Sequence, residues 1–252
     1  MIDQPPTSPQ PVEAGCMLRT RDLVSGYGRS QTLHGVDVDV PAGKVSTVIG
    51  PNGSGKTTFL KTVAGLVRPW SGSVRLDGDE VSGRPAHLLV RAGLCLVPQG
   101  RVVFPFLTVA ENLRMFAFTA PSRDEVRVRL AEAYEFLPVL ADRRAQQAGT
   151  LSGGEQAMLS IAKVIMLRPK LLLLDEPSLG LSPKLVDLVY ERIAALSARG
   201  LTTLIVEQNV RTALAAAEHV LVLVLGRVRY QGDTESLQGE VDLARLFIEG
   251  RG

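Results

Sequence analysis

The eight residues Gly50-Pro51-Asn52-Gly53-Ser54-Gly55-Lys56-Thr57 constrain this chain more than any other segment. They fit the phosphate-binding loop pattern at every fixed position: glycine, four free positions, then Gly-Lys-Thr. Phosphate oxygens need several N–H donors converging from one side, and glycines let the backbone curl around them without side-chain clashes. The flanks agree with this. Residues 45–49 form a short apolar run of buried-strand length, and the residues from about 56 to 66 carry helical spacing. A helix that starts at the loop presents free amides and its positive dipole end to an anion. Gly50 through Thr57, with Thr58 behind them, are therefore candidate nucleotide-binding residues. Lys56 is placed to reach the β- and γ-phosphates, and Thr57 to offer its hydroxyl to Mg²⁺.

Two further motifs carry chemistry. Leu171-Leu172-Leu173-Leu174-Asp175-Glu176 reads as a buried strand that delivers two carboxylates at its C-terminal edge, where α/β sheets bind ligands. Asp175 is a candidate for the metal shell, and Glu176 for the general base that orients the attacking water. Leu151-Ser152-Gly153-Gly154-Glu155 precedes another helical stretch. Ser152 with Glu155 three residues on is a capping-box pattern, and the two glycines leave amides open to a ligand. A second helix start of this kind, far along the chain from the first, needs an explanation.

In this order and spacing the three motifs resemble those of the nucleotide-binding subunits of ABC transporters, over nearly the whole chain from about Leu18 to Arg251. The resemblance implies ATP as substrate and Mg²⁺ as cofactor. It also implies that Ser152, Gly153 and Gly154 touch the γ-phosphate of ATP held by an opposite subunit. Tyr27, in Ser25-Gly26-Tyr27-Gly28, matches the aromatic that stacks on adenine. Gln99, in Val97-Pro98-Gln99-Gly100-Arg101, matches the loop glutamine that touches Mg²⁺ or water and senses the membrane domain.

Two positions depart from the common family pattern. Leu181 stands where many members carry aspartate, and Gln208, in Val206-Glu207-Gln208-Asn209, stands at the switch histidine. A glutamine can hydrogen-bond a γ-phosphate but cannot become a cation near neutral pH, which leaves Glu176 as the main catalytic candidate and Gln208 as its companion. His34, His87 and His219 lie elsewhere and read as structural or surface residues. The Val-Pro-Gln-Gly-Arg, Asp-Glu-Pro-Ser-Leu-Gly-Leu-Ser-Pro and Val-Glu-Gln-Asn segments together resemble the ATPases of branched-chain amino acid importers, with urea and short-amide importers close by. Ala157 and Lys163 replace the glutamine and arginine expected in that group.

The expected architecture is an α/β P-loop NTPase fold with a mostly parallel central sheet, an N-terminal antiparallel β subdomain and a helical insertion. Val36, Val38 and Val40 alternate with Asp37 and Asp39 as in a half-buried strand. Residues 73–76 with Asp77-Gly78 read as strand and turn, and 94–97 as a short buried strand. Stretches 108–120, 123–140 and 151–167 are helical, so the glutamine loop and insertion span about 100–165. Strand and helix then alternate through 171–174, 183–198, 203–206, 209–217 and 220–225, the pattern of parallel crossovers. Residues 1–16, with Pro5, Pro6, Pro9 and Pro11, read as a disordered tail or an extension upstream of Met17, and residues 17–252 as the nucleotide-binding domain.

Composition narrows the rest. The net charge is +2, against a strongly basic nucleic-acid surface, and Cys16 and Cys95 lack metal-ligand spacing. No apolar stretch approaches the roughly 20 residues that span a bilayer. The expected setting is cytoplasmic, on the inner face of the cell membrane. The expected partners are a second ATPase subunit, identical or related, integral membrane permease subunits and, indirectly, a solute-binding protein. Export, a soluble ABC-type ATPase and a non-hydrolysing regulatory module are the competing readings. One set of motifs without sustained heptads opposes the soluble ATPase, and intact Lys56, Asp175 and Glu176 oppose the regulatory module.

Overall fold

The structure, a computed structural model, describes residues 15–100 and 103–240. The expected tail up to residue 14, Arg101 and the segment from residue 241 lie outside the described residues. β1 (Cys16–Tyr27) and β2 (Ser30–Pro41) form a long antiparallel hairpin. The strand begins at Cys16, the last residue assigned to the tail from sequence. Val36, Val38 and Val40 point inward as their alternation requires, but Asp39 is buried as well. Its carboxylate is held by Arg19 at 2.6 Å and Arg21 at 2.7 Å, both on β1, which satisfies the charge inside the sheet.

β3 (Val45–Ile49) runs into the glycine loop and α1 (Lys56–Val63). The helix is a turn shorter than its periodicity suggests. Gly65 takes a left-handed φ of 70°, and a Cβ there would stand 2.4 Å from the Arg84 carbonyl, so the chain must leave the helix. β4 (Ser71–Leu76) and β5 (Asp79–Glu80) complete a four-stranded sheet in the order β2-β1-β4-β5. α2 (Ala86–Arg91) leads to β6 (Leu94–Val97).

The helical insertion follows as α3 (Val109–Phe116), α4 (Arg123–Phe136), α5 (Pro138–Asp142) and α6 (Gly153–Leu167). One helix was expected over 123–140; two are found. Pro138 forces Leu137 out of helical geometry, to φ −132° and ψ 75°, and begins the second helix. Arg129 of α4 donates to the Met166 carbonyl at 2.7 Å, tying α4 to the end of α6.

β7 (Leu171–Asp175), α7 (Pro183–Ser197), β8 (Thr202–Val206), α8 (Val210–Ala216) and β9 (His219–Val224) alternate as expected. A further strand, β10 (Arg227–Asp233), turns back antiparallel before α9 (Thr234–Glu240). The second sheet has the order β10-β9-β3-β8-β7-β6, parallel from β9 to β6. Both of its faces are covered. Leu171 and Leu173 pack with Phe59, Leu60 and the first sheet, whereas Leu172 and Leu174 pack with the insertion helices and α7. This period of two is what a strand buried on both sides demands, and it decides where the next side chains go.

Burial alone would push the Asp39 carboxyl up, but hydrogen bonds from Arg21 and Arg19 outweigh it and hold it below its ordinary value. A depressed carboxylate stabilises the fold above its unfolded pKa, and that contribution is lost as pH falls through the folded value. Asp39→Asn is therefore expected to cost about 1–2 kcal/mol at pH 7. The gap from the unsubstituted chain, read by urea unfolding at a series of pH values, should close below about pH 4.

Candidate functional site

The glycine loop is built by close approaches that only glycine allows. At Gly50 a Cβ would stand 2.0 Å from the Leu223 carbonyl of β9, and Gly55 enters α1 with a φ of 103°. α1 has no side-chain cap and no acidic residue in its first turn, so its amides and dipole face the loop unneutralised. Lys56 is buried, and its ammonium donates to the carbonyls of Gly50 at 2.8 Å and Pro51 at 3.1 Å. Burial pulls its pKa down, against the attraction of Glu176 and Asp175. Phosphate oxygens fit this cradle: convergent donors, a cation and an open face at Gly53, where a Cβ would meet nothing.

The alternation of β7 carries Asp175 to the side of α1, where Thr57 donates to its Oδ1 at 3.2 Å. Glu176 follows in the left-handed region, with φ 49°, held by its amide donating to the Val206 carbonyl at 2.8 Å. A non-glycine residue there is strained, and the left-handed turn takes the chain out of the strand after Asp175. Gln99, exposed at the end of β6, donates from Nε2 to Glu176 Oε2 at 3.0 Å. Burial raises the pKa of Asp175 against the Thr57 hydrogen bond, and burial with the Asp175 charge raises that of Glu176. Two adjacent acids under that load, with a hydroxyl at hand, suit a small hard cation. Among the described residues no group of three or more His, Cys, Asp or Glu could hold a metal alone.

The Ser152 turn lies apart from these hydrogen bonds. Ser152 caps α6 reciprocally with Glu155, whose carboxylate accepts from the Ser152 amide at 2.8 Å. The amides of Gly153 and Gly154 stay at the open end of the helix. Gly154 has a packing reason too, since a Cβ there would press on Leu185 at 2.6 Å. Tyr27 ends β1 with about half of its surface exposed (49%), available for stacking. Gln208 is exposed beyond β8. Lys163 reaches back to the Leu96 carbonyl at 2.9 Å. The histidines sit on β2, on α2 and at the start of β9.

Two contributors escaped the sequence reading. Glu207 is buried and accepts from the Ser178 amide, the Tyr190 hydroxyl and the Gln208 amide. Its signal was a charged residue directly after an apolar strand. The other is the turn Leu225-Gly226, with φ of 47° and 71°, which closes the β9–β10 hairpin. The Gly226 amide donates to the Ser54 carbonyl at 2.8 Å, and its carbonyl accepts from the His34 amide at 2.9 Å. The phosphate loop is thus fastened to both sheets through one glycine.

Comparison with known proteins agrees with this geometry. Residues 33–179 match the ABC transporter family. BraG of Pseudomonas aeruginosa, a high-affinity branched-chain amino acid transport ATP-binding protein, is 46% identical over 212 residues, covering 84% of this chain and 91% of its own. LivF of Archaeoglobus fulgidus, a probable branched-chain amino acid transport ATP-binding protein, is 41% identical over 222 residues, covering 88% and 94%. The crystal structure of a nucleotide-free ATP-binding cassette from an ABC transporter aligns with a TM-score of 0.82 at 26% identity, over 93% of this chain and 98% of that one. The chain belongs to the ABC transporter family, and its fold is that of the family's ATP-hydrolysing cassette.

A Cβ at Gly226 would stand 1.9 Å from the Thr32 carbonyl. Gly226→Ala is expected to cost about 2–3 kcal/mol in urea unfolding and to weaken nucleotide binding by displacing the phosphate loop. Unchanged affinity in a fluorescent-nucleotide titration would show that the turn does not set the loop.

Proposed function

We propose that this chain is the ATP-hydrolysing subunit of a branched-chain amino acid importer, working as one of two cassettes beneath integral membrane permease subunits. The convergence of Lys56, Thr57, Asp175, Glu176 and Gln99 at one sheet edge supports the hydrolysis. The relatives in Pseudomonas and Archaeoglobus support the solute.

In this reading Gly50 to Thr58 cradle the phosphates of ATP, with Lys56 swinging from its two carbonyls to the β- and γ-oxygens. Tyr27 stacks on the adenine. Thr57, Asp175 and Gln99 would hold Mg²⁺, which would supply positive charge against the phosphate oxygens. Glu176 accepts the proton of the attacking water, and its raised pKa strengthens it as a base. Gln208 donates a hydrogen bond to the γ-phosphate from the adjacent strand end. Ser152, Gly153 and Gly154 cap the nucleotide of the opposing subunit, so closure of the pair depends on ATP and is released by its hydrolysis.

Among the described residues no helix is long and apolar enough to cross a membrane. A groove of about 260 Å³ supports docking from the cytoplasmic side. It is lined by Leu66, Val90, Leu96, Phe118 and Lys163 beside Pro98, with Leu66 and Phe118 largely exposed. An apolar permease segment seated there would press on the loop that carries Gln99, and so reach Glu176 through their hydrogen bond.

Glu176→Gln should lower phosphate release about 100-fold or more while ATP affinity stays within about threefold. Near-normal hydrolysis would refute the role given to Glu176. In that slow background, ATP should drive a dimer detectable by size-exclusion chromatography, and Ser152→Ala should weaken the dimer without changing nucleotide affinity of the monomer. Equal loss of both would count against capping across the pair. ATP-dependent leucine uptake by vesicles carrying the chain with its permeases tests the solute.

A further inference from the structure

Glu207 stands at the end of β8, directly after Val206, whose pairing partner is Asp175. It is 2% exposed, and its partners are all neutral donors. Oε1 accepts from the Tyr190 hydroxyl at 2.8 Å and the Ser178 amide at 3.1 Å; Oε2 accepts from the Gln208 amide at 3.2 Å. A buried carboxylate is costly, and this one is placed badly for its neighbours, since its charge helps to push up the pKa of both Asp175 and Glu176. A neutral residue would relieve that strain. What a carboxylate supplies is acceptor valence: it takes several donors and offers none back. Glutamine in its place has a single acceptor oxygen and two N–H groups that would face other donors.

The three donors define what the carboxylate does. Ser178 lies two residues after Glu176, in the loop that runs on to Leu181, and Gln208 is the switch position. Tyr190 rises from α7, packed under the sheet, and burial followed by the Glu207 charge keeps its phenol a protonated donor. Both loops flanking the reaction edge are therefore fastened to one anchored group. Resting on the ATPase reading above, we infer that Glu207 is a positioning residue that fixes the loop after Glu176 relative to Gln208, and that it acts on turnover rather than on nucleotide binding.

The test uses the full-length chain with Glu207→Gln and, separately, Tyr190→Phe, which removes one donor and keeps the ring's packing. Turnover, KM for ATP and amide hydrogen exchange are read for each. Glu207→Gln is expected to lower kcat about tenfold and Tyr190→Phe about threefold, with KM within twofold for both. Exchange should quicken in residues 178–181 and 208–209 but not in β7 or β8. A kcat within twofold of the unsubstituted chain, kcat and KM shifting together, or unchanged exchange would each overturn the inference. Should Glu207→Gln not fold, Tyr190→Phe decides on the same readouts. If the unsubstituted chain shows no turnover even when assembled with its permeases, the ATPase reading fails by itself, and the exchange rates alone decide whether Glu207 fastens the two loops.

Discussion

The parallel pairing of β3, β8 and β7 is the constraint from which the site follows. Each strand ends at the same edge, and each end carries one part of the candidate site. β3 runs into the phosphate loop, β7 into Asp175 and Glu176, and β8 into Glu207 and Gln208. Because side chains alternate along a strand, the leucines of β7 also determine which way Asp175 points. A slip of one residue in that register would turn Asp175 toward the helical insertion and leave Thr57 without its partner.

The site joins groups whose electrostatics oppose one another. Lys56 is desolvated, and Asp175 and Glu176 are held closer to neutrality than ordinary carboxylates. Under the proposed function, a triphosphate and a cation would relieve this opposition, and the protein supplies a field shaped for that bound state. Gln208 alters the same logic. Under the proposed function, Gln208 stands where a histidine could have gained charge near neutral pH, so the proton of the attacking water goes to Glu176.

Much of this was legible because the information is local. A phosphate loop must be contiguous, since its amides converge on one anion, and strand periodicity around it is read from the neighbouring residues. The carboxylate pair after four leucines was legible for the same reason. The strand order of the first sheet was not, because the pairing of β1 with β4 depends on residues some fifty positions apart in the chain. The β9–β10 hairpin stayed hidden because leucine occupies a left-handed turn position that asparagine or glycine usually marks. Glu207 looked like one more charge at a strand end; its role rests on Tyr190 and Ser178, which meet it only in the folded chain.

β10 also closes one rim of the central sheet. It runs antiparallel, it places the exposed charges of Arg227 and Arg229 along that border, and the opposite border is β6, only four residues long. Neither border invites strand addition from another molecule. Strand addition would be insensitive to nucleotide, and a cassette joined to its twin that way would stay joined whether or not fuel were present. Under the proposed function, blunted rims leave the energy of association to the faces that ATP completes, and hydrolysis can then act as a release.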